Sequence, residues 1–347
     1  FLRFLVDIAT GGKKLKNVVM KGTGVYIPSN KVYNEELDKH FDERGLSAHS
    51  LMEHLGRRKR YFISEGETAI TMCVDAIRNC LEKCKMNTED IEMLIVTTDT
   101  PEYLSPTNAL KVVSEFGDEM RNVNIAFDIN GNCTGMVMGV DVAKQYMIGS
   151  GIKKALVVGV FCVTPNALWD DTVVYATFAD AAACVALELV EEDTQRGIID
   201  REVFLDASYN EYVTYPKCGM SKVALKAIQP NEKRLEWKPF DMDFLSEKWN
   251  EIIRRLLERN SLTPKDVDYY VFSQLSDVYN LRTLKLLDVE EKDKKYHFLG
   301  KEYGYTGNTC PFLCINRMWD NYSEKNNKII ICTVGAGYSA IAMLYNF

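Results

Sequence analysis

The sequence predicts an α/β fold built twice within one chain, and three observations carry that expectation. Short apolar, β-branched runs alternate with stretches of helical periodicity, the pattern of sheets covered by helices. The order of these elements in the first half recurs in the second. The composition, 46% hydrophobic and 26% charged over 347 residues, supplies apolar surface for one large domain or for two domains sharing an extensive core.

Buried strands are expected at Met93–Thr97, Asn124–Asp128, Ala155–Gly159 and Ala182–Leu187, then at Tyr269–Phe272, Tyr296–Leu299, Lys328–Cys332 and Ser339–Met343. Helical periodicity runs from Thr68 to Lys85 behind a threonine cap, and over Ser105–Gly117, Thr134–Gly149, Asp243–Asn260 and Ser276–Leu287. In the first half, strand 124–128 leads into Asn130-Gly-Asn-Cys-Thr-Gly135 and a helix. A small-residue turn, Ala179-Asp-Ala-Ala-Ala183, precedes the closing strand. In the second half, strand 296–299 leads into Tyr305-Thr-Gly-Asn-Thr309 and a helix, and the turn Gly335-Ala-Gly337 precedes the last strand. Two βαβαββ halves, over residues 17–190 and 191–347, predict two sheets packed through a shared layer of central helices. The first dozen residues lie outside this pattern.

Composition excludes several classes. No run reaches the roughly 18 consecutive apolar residues of a membrane span, and the opening FLRFLVDIAT has neither the length of a span nor the flanks of a signal peptide. A net charge of −7 argues against nucleic acid as a partner. Ten cysteines are too few for a disulfide scaffold, and neither a CxxC pair nor zinc-ligand spacing is present, so no metal is expected. Most thiols, including Cys80 and Cys84 at helical spacing, read as small buried hydrophobes of a cytoplasmic protein.

Cys133 stands apart. It falls where a strand turns into a helix, between Gly131 and Gly135. A helix start offers unpaired N–H groups and partial positive charge, which lower a thiol pKa and favour the reactive thiolate. Flanking glycines permit close approach of substrate. The competing reading is a buried structural cysteine. The cluster Arg57-Arg58-Lys59-Arg60 reads either as a solvated face or as a landing site for acidic or phosphorylated groups.

Several segments, in order along nearly the whole chain, resemble the ketoacyl-acyl-carrier-protein synthase III family of the thiolase superfamily. Val18–Pro28 looks like its opening strand and turn, and 97–106 like the stretch before the nucleophile strand. Phe127-Asp-Ile-Asn-Gly-Asn-Cys-Thr-Gly135 is similar to its nucleophile segment. Phe178–Cys184 takes the place of a Gly-Asp-Gly-Ala-Gly turn, Gly307-Asn308-Thr309 matches its Gly-Asn-Thr, and Val334–Gly337 its closing glycine turn. The resemblance implies a thiolase-like αβαβα fold with two mixed five-stranded sheets. It implies that Cys133 takes an acyl group from acyl-coenzyme A or an acyl carrier protein and condenses it with a malonyl-type carrier, with no cofactor. Asn308 would then be an amide donor, and Gly335 and Gly337 would belong to the oxyanion region.

One departure stands out. Where the family has His-Gln-Ala-Asn, this chain has Ser273-Gln-Leu-Ser276. Serine donates one hydrogen bond but carries no charge near neutral pH. Of the four histidines, only His297 lies on a strand leading toward Asn308, where an ordinary strand-end role is the simpler reading. Three readings follow: a divergent condensing enzyme using Ser273 and Asn308, an acyltransferase that works without decarboxylation, or a non-catalytic partner subunit of an active synthase. Asp99 lies where the related hydroxymethylglutaryl-coenzyme A synthases place a catalytic acid, although capping of the next turn is the simpler role. The family implies a homodimer. Its acidic carrier or coenzyme A would need Arg57, Arg58, Lys59, Arg60, or Lys222, Lys226, Arg254 and Arg255, with Trp169 or Tyr61 for stacking. Fatty acid initiation and secondary metabolism both remain open.

Overall fold

The computed structural model describes residues 14–347 other than 291 and 325. Its strands are β1 (Leu15–Tyr26), β2 (Asn30–Tyr33), β3 (Lys59–Phe62), β4 (Met93–Thr97), β5 (Ile125–Ile129), β6 (Lys154–Phe161), β7 (Ala181–Glu192), β8 (Gly197–Leu205), β9 (Val213–Thr214), β10 (Glu236–Trp237), β11 (Tyr269–Phe272), β12 (Lys328–Gly335) and β13 (Ser339–Asn346). The longer helices are α1 (Asn34–Asp42), α2 (Ala69–Cys84), α3 (Asn108–Phe116), α4 (Gly135–Ser150), α5 (Leu245–Arg259), α6 (Asp277–Leu286) and α7 (Cys310–Arg317).

The first sheet runs β1-β7-β6-β4-β5 and the second β11-β12-β13-β8. In each, a parallel pair (β4 with β6, β11 with β12) is followed by two antiparallel pairings, so the halves repeat in pairing as well as in order. In the first sheet β5 adds a further parallel strand beside β4. Its counterpart, expected over 296–299, is reduced to one parallel bridge between Tyr270 and Tyr296. The backbone there is spent elsewhere: Leu299 N–H and Gly300 N–H donate to Gln274 Oε1 at 2.6 and 3.2 Å instead of to a ladder.

Three apolar clusters give five layers. The middle one joins Met136, Val137, Val140 and Met147 of α4, and Phe312 to Ile315 of α7, to the inner faces of both sheets. A second seats α2 and α3 on the outer face of the first sheet, and a third seats α5 on the outer face of the second. α2 shows how local signals cooperate with packing. Thr68 caps it by accepting from Thr71 N–H, Lys85 ends it in the left-handed region, and eight of its residues are buried. Gly24 of β1 lets it close in, because a Cβ there would lie 2.1 Å from Cys80 N. No helix among the described residues is long and apolar enough to cross a membrane.

Candidate active site

β5 ends at Ile129, and a 3₁₀ turn over Asn132–Thr134 carries Cys133 into α4. Asn132 sits at φ +49°, which sharpens the turn. The amides expected to face the sulfur are already used: Thr134 N–H donates to Gly131 O at 3.1 Å and Gly135 N–H donates to Asn132 O. This 3₁₀ turn engages the Thr134 and Gly135 amides, which leaves the Cys133 amide as the backbone donor acting on its own thiol. Burial pushes the Cys133 thiol well up, the neighbouring Asp99 carboxylate pushes the same way, and a hydrogen bond from Tyr305 opposes them. The expected ready-made thiolate is therefore corrected to a thiol that needs a base.

Cys133 opens on a cavity of about 120 Å³. Its walls are apolar and aromatic, with Phe161, Phe178, Trp237, Phe240 and Tyr305 among them, and Asp99 and Asn132 supply polar groups. Gly335 and Gly337 line the same cavity, and Asn132 Nδ2 donates to Ala336 O at 3.1 Å, stitching the glycine turn to the nucleophile turn. Much of the wall comes from the irregular segment between β8 and α5, which brings in Tyr209, Tyr212 and Tyr215. The sequence reading passed over it, and its only signal was a dense run of aromatics without periodicity.

Asp99 follows β4 in a tight loop. Thr100 Oγ1 accepts from Cys162 N–H at 2.9 Å and Thr98 Oγ1 accepts from Thr100 N–H at 3.0 Å, which pins the residues on either side. Asp99 faces the cavity with Oδ1 buried and without a hydrogen-bond partner. Burial raises its carboxyl to about 6. A carboxyl titrating near 6 beside a protonated thiol is suited to proton transfer.

Asn308 does not take the donor position expected of it. Its Nδ2 donates to Thr97 O at 3.2 Å and Val160 O at 3.4 Å, tying β4 to β6, and it is absent from the cavity wall. Gly307 (φ +53°) lies against the Phe161 ring, where a Cβ would come within 2.4 Å, and this close approach holds Asn308 inward. Ser273 is fully buried and also stands back from the cavity. The residue of this segment that lines the cavity with Cys133 is Tyr305, which is itself almost fully buried. Tyr305 was visible in the sequence only as a member of the Gly-Asn-Thr segment. His297 is not on the cavity wall; its ring stacks near Tyr322, and burial lowers its pKa.

The basic cluster divides. Arg57 and Arg60 are buried and cannot serve as a landing site. Arg57 Nη2 donates to Gln274 O at 3.1 Å and Leu275 O at 2.6 Å, bracing the loop after Ser273, and Arg60 Nη2 donates to Asn34 Oδ1 at 3.0 Å. Burial lowers them to about 9 and about 10 respectively, with the Arg60 charge adding to the shift at Arg57. Arg58 is exposed, and Lys59 pairs with Glu302 at 2.8 Å. Arg254 pairs with Asp288 and Arg255 with Glu202 and Glu251, whereas Lys222 and Lys226 are exposed. Tyr61 stacks on Tyr303. Trp169, 67% exposed, borders a separate surface groove with Arg44 and Arg234.

The family model described as 3-oxoacyl-[acyl-carrier-protein (ACP)] synthase III matches residues 127–206, spanning the Cys133 turn, and its C-terminal companion matches residues 257–347. The chain belongs to the 3-oxoacyl-[acyl-carrier-protein] synthase III family. Related members include a β-ketoacyl-[acyl-carrier-protein] synthase III of Haemophilus influenzae, 27% identical over 94% of this chain and 98% of that one. Another, from Koribacter versatilis, is 24% identical over 92% and 95%. The synthase III structure from Aquifex aeolicus superposes with a TM-score of 0.82 at 20% identity, covering 95% of this chain and all of that one. The priming β-ketosynthase of the R1128 polyketide pathway gives 0.83 at 20% identity over 96% and 97%. The fold is thus that of the synthase III enzymes, thiolase-like and duplicated. Within this acyl-transferring family, the present chain carries Ser273 at the place where the resemblance implies a histidine.

Proposed function

We propose that Cys133 accepts an acyl group from a coenzyme A or carrier-protein thioester and passes it to a second substrate, with Asp99 as the base. The observation that carries this is the meeting, at one apolar cavity, of a thiol held protonated by burial and a carboxyl raised to about 6 whose Oδ1 is buried without a partner. Family membership supports condensation with a malonyl-type carrier as the second half-reaction. Asp99 favours an acceptor that must lose a proton, because a second carboxylate beside it would meet like charge in a low-dielectric site. An acyltransferase working without decarboxylation is therefore the reading the geometry supports best. Arg58 and the groove beside Trp169 are the candidate contacts for the carrier or coenzyme A.

Intact-protein mass spectrometry with a panel of acyl-coenzyme A donors tests this directly. One acyl adduct is expected, and adding malonyl-carrier should release no carbon dioxide. Stoichiometric release would instead restore the decarboxylating condensation. Absence of any adduct across the acyl panel would support the non-catalytic subunit.

We also propose a homodimer through β5. This strand is the open edge of the first sheet, and exposed Leu104, Leu110, Met138, Val142 and Tyr146 lie on its neighbouring segments. Sedimentation equilibrium should give twice the chain mass for the wild type and the single mass for Val142→Glu. A monomeric wild type would refute the dimer.

A further inference from the structure

Nine of the 23 residues around the Cys133 cavity are aromatic, in a chain where aromatics make up 11%. Their arrangement says more than their number. Phe161, Phe178 and Tyr305 belong to a buried cluster against which both Cys133 and Trp237 pack. Phe178 is its hub, with ring centroids 5.4 Å from Phe161, 5.6 Å from Tyr305 and 5.5 Å from Trp237. These rings are held from behind. Phe161, Phe178 and Tyr305 are almost fully buried, Tyr305 N–H donates to Thr177 O at 3.1 Å, and Tyr305 O accepts from Ala179 N–H at 3.0 Å. The cysteine thus sits beside a fixed aromatic surface.

A second array enters from the irregular segment between β8 and α5. Tyr212 and Phe240 have ring centroids 4.8 Å apart, and Tyr209 lies 5.9 and 5.6 Å from them. Anchoring of the segment to the body accounts for Tyr209, which stacks on Phe244 at 4.9 Å and meets Tyr338 at 5.7 Å. It does not account for Tyr212 and Phe240. Among the described residues their rings meet only each other and Tyr209, both are half-buried, and both line the cavity. Trp237 is half-buried at the same cavity. Ring surface is therefore left uncovered on both arrays, at the space a substrate fills. Among the described residues the wall carries no cationic side chain, and its carboxyl is Asp99, so a negatively charged acyl group is disfavoured.

We propose that the acyl group carried on Cys133 is aromatic, an aroyl or arylacetyl unit whose ring lies between the Phe178–Trp237 array and the Tyr212–Phe240 array. This rests on the acyl-transfer reading above and names its donor by class, an uncharged aromatic acyl thioester. In the step, Asp99 takes the thiol proton and the sulfur bonds to the carbonyl carbon. The carbon–sulfur bond to the donor then breaks, and the departing thiolate takes the proton back from Asp99. A flat ring meets fixed rings edge-to-face or offset-stacked, and each such contact adds to the gain from burial. A flexible chain must give up rotamers to lie on the same fixed wall. The selection is thus for ring character, not for apolar bulk alone.

Coenzyme A thioesters of equal acyl carbon number separate ring from bulk: phenylacetyl, cyclohexylacetyl and octanoyl. All carry a methylene beside the carbonyl, so their intrinsic reactivities match, and burial alone favours the two saturated groups. The second-order rate of Cys133 acylation, followed by intact mass, should be higher for phenylacetyl by about 10-fold or more. Trp237→Leu and Phe240→Leu keep the wall apolar and remove one ring from each array. Each should slow phenylacetyl transfer more than octanoyl transfer, so that the ratio falls. A second readout needs no transfer: in Cys133→Ala, calorimetric titration should show phenylacetyl-coenzyme A binding more tightly than cyclohexylacetyl-coenzyme A. If the wild type accepts no thioester, the acyl-transfer reading falls, while that titration still decides the ring preference, and equal affinities would overturn it. A wild-type rate for phenylacetyl no higher than for the saturated groups, or a ratio undiminished in both folded variants, would also overturn the proposal. Should one variant fail to fold, the other decides; should both fail, the wild-type rates and the titration decide.

Discussion

Replacing Cys133 with alanine is expected to remove the acyl adduct completely. A thioester intermediate requires a thiol, and Cys133 is the one thiol lining the cavity among the described residues. Asp99 would form an unstable anhydride, and Tyr305 is held protonated by burial. Of the remaining thiols, Cys73, Cys80, Cys162, Cys184, Cys310, Cys314 and Cys332 are buried, and only Cys84 and Cys218 are partly exposed. Intact mass after incubation with acyl-coenzyme A should show one adduct on the wild type and none on Cys133→Ala, with peptide mapping to exclude slow surface acylation. The variant should melt close to the wild type, because the side chain borders a cavity and its loss opens little new void. An adduct that persists at wild-type rate would move the nucleophile elsewhere and remove the basis of the mechanism.

The second large effect is expected from Asp99→Asn. General-base catalysis contributes roughly 10²–10⁴-fold, and acylation should slow by that order. The pH profile carries the sharper signature. With its carboxyl raised to about 6, Asp99 is a base above that pH. The wild-type rate should therefore climb through pH 6, and the climb should vanish in the asparagine variant.

Stability should move the opposite way. A carboxyl raised by burial binds its proton more tightly in the folded chain than in the unfolded one. Stability is therefore intact below the unfolded value near 4 and is lost as pH rises to about 6. Above that, the buried charge costs about 3 kcal/mol. Asp99→Asn should melt higher than the wild type at pH 8 and equally at pH 4, measured by calorimetry. A variant that loses both rate and stability at pH 8 would mark Asp99 as a structural residue.

These predictions depend on a site that was only partly legible in the sequence. The turn carrying Cys133 was legible, because a buried strand, two glycines and a helical repeat are all local signals. So were the strands 93–97 and 269–272, whose bounds in the structure are those expected. The edge strand β8 was not read, since its Asp200, Arg201 and Glu202 interrupt any apolar run. The strand expected at 296–299 failed because the side chain of Gln274, distant in sequence, takes its amides. Arg57 and Arg60 were misread for the same kind of reason. Charge is a local property, but burial is conferred by segments that pack from elsewhere.

By itself the sequence determined the duplicated α/β order, the family, and the place of the cysteine at the start of a central helix, since each is written in contiguous residues. Tertiary structure alone decided which groups meet the sulfur. Asp99 and Tyr305, which share the cavity wall with Cys133, come from separate loops, and Ser273 stays behind that wall. The amide of Asn308 is taken by carbonyls of β4 and β6 that no local pattern specifies. Proton transfer depends on distance and burial, and both are set only when the two sheets close on the helices between them.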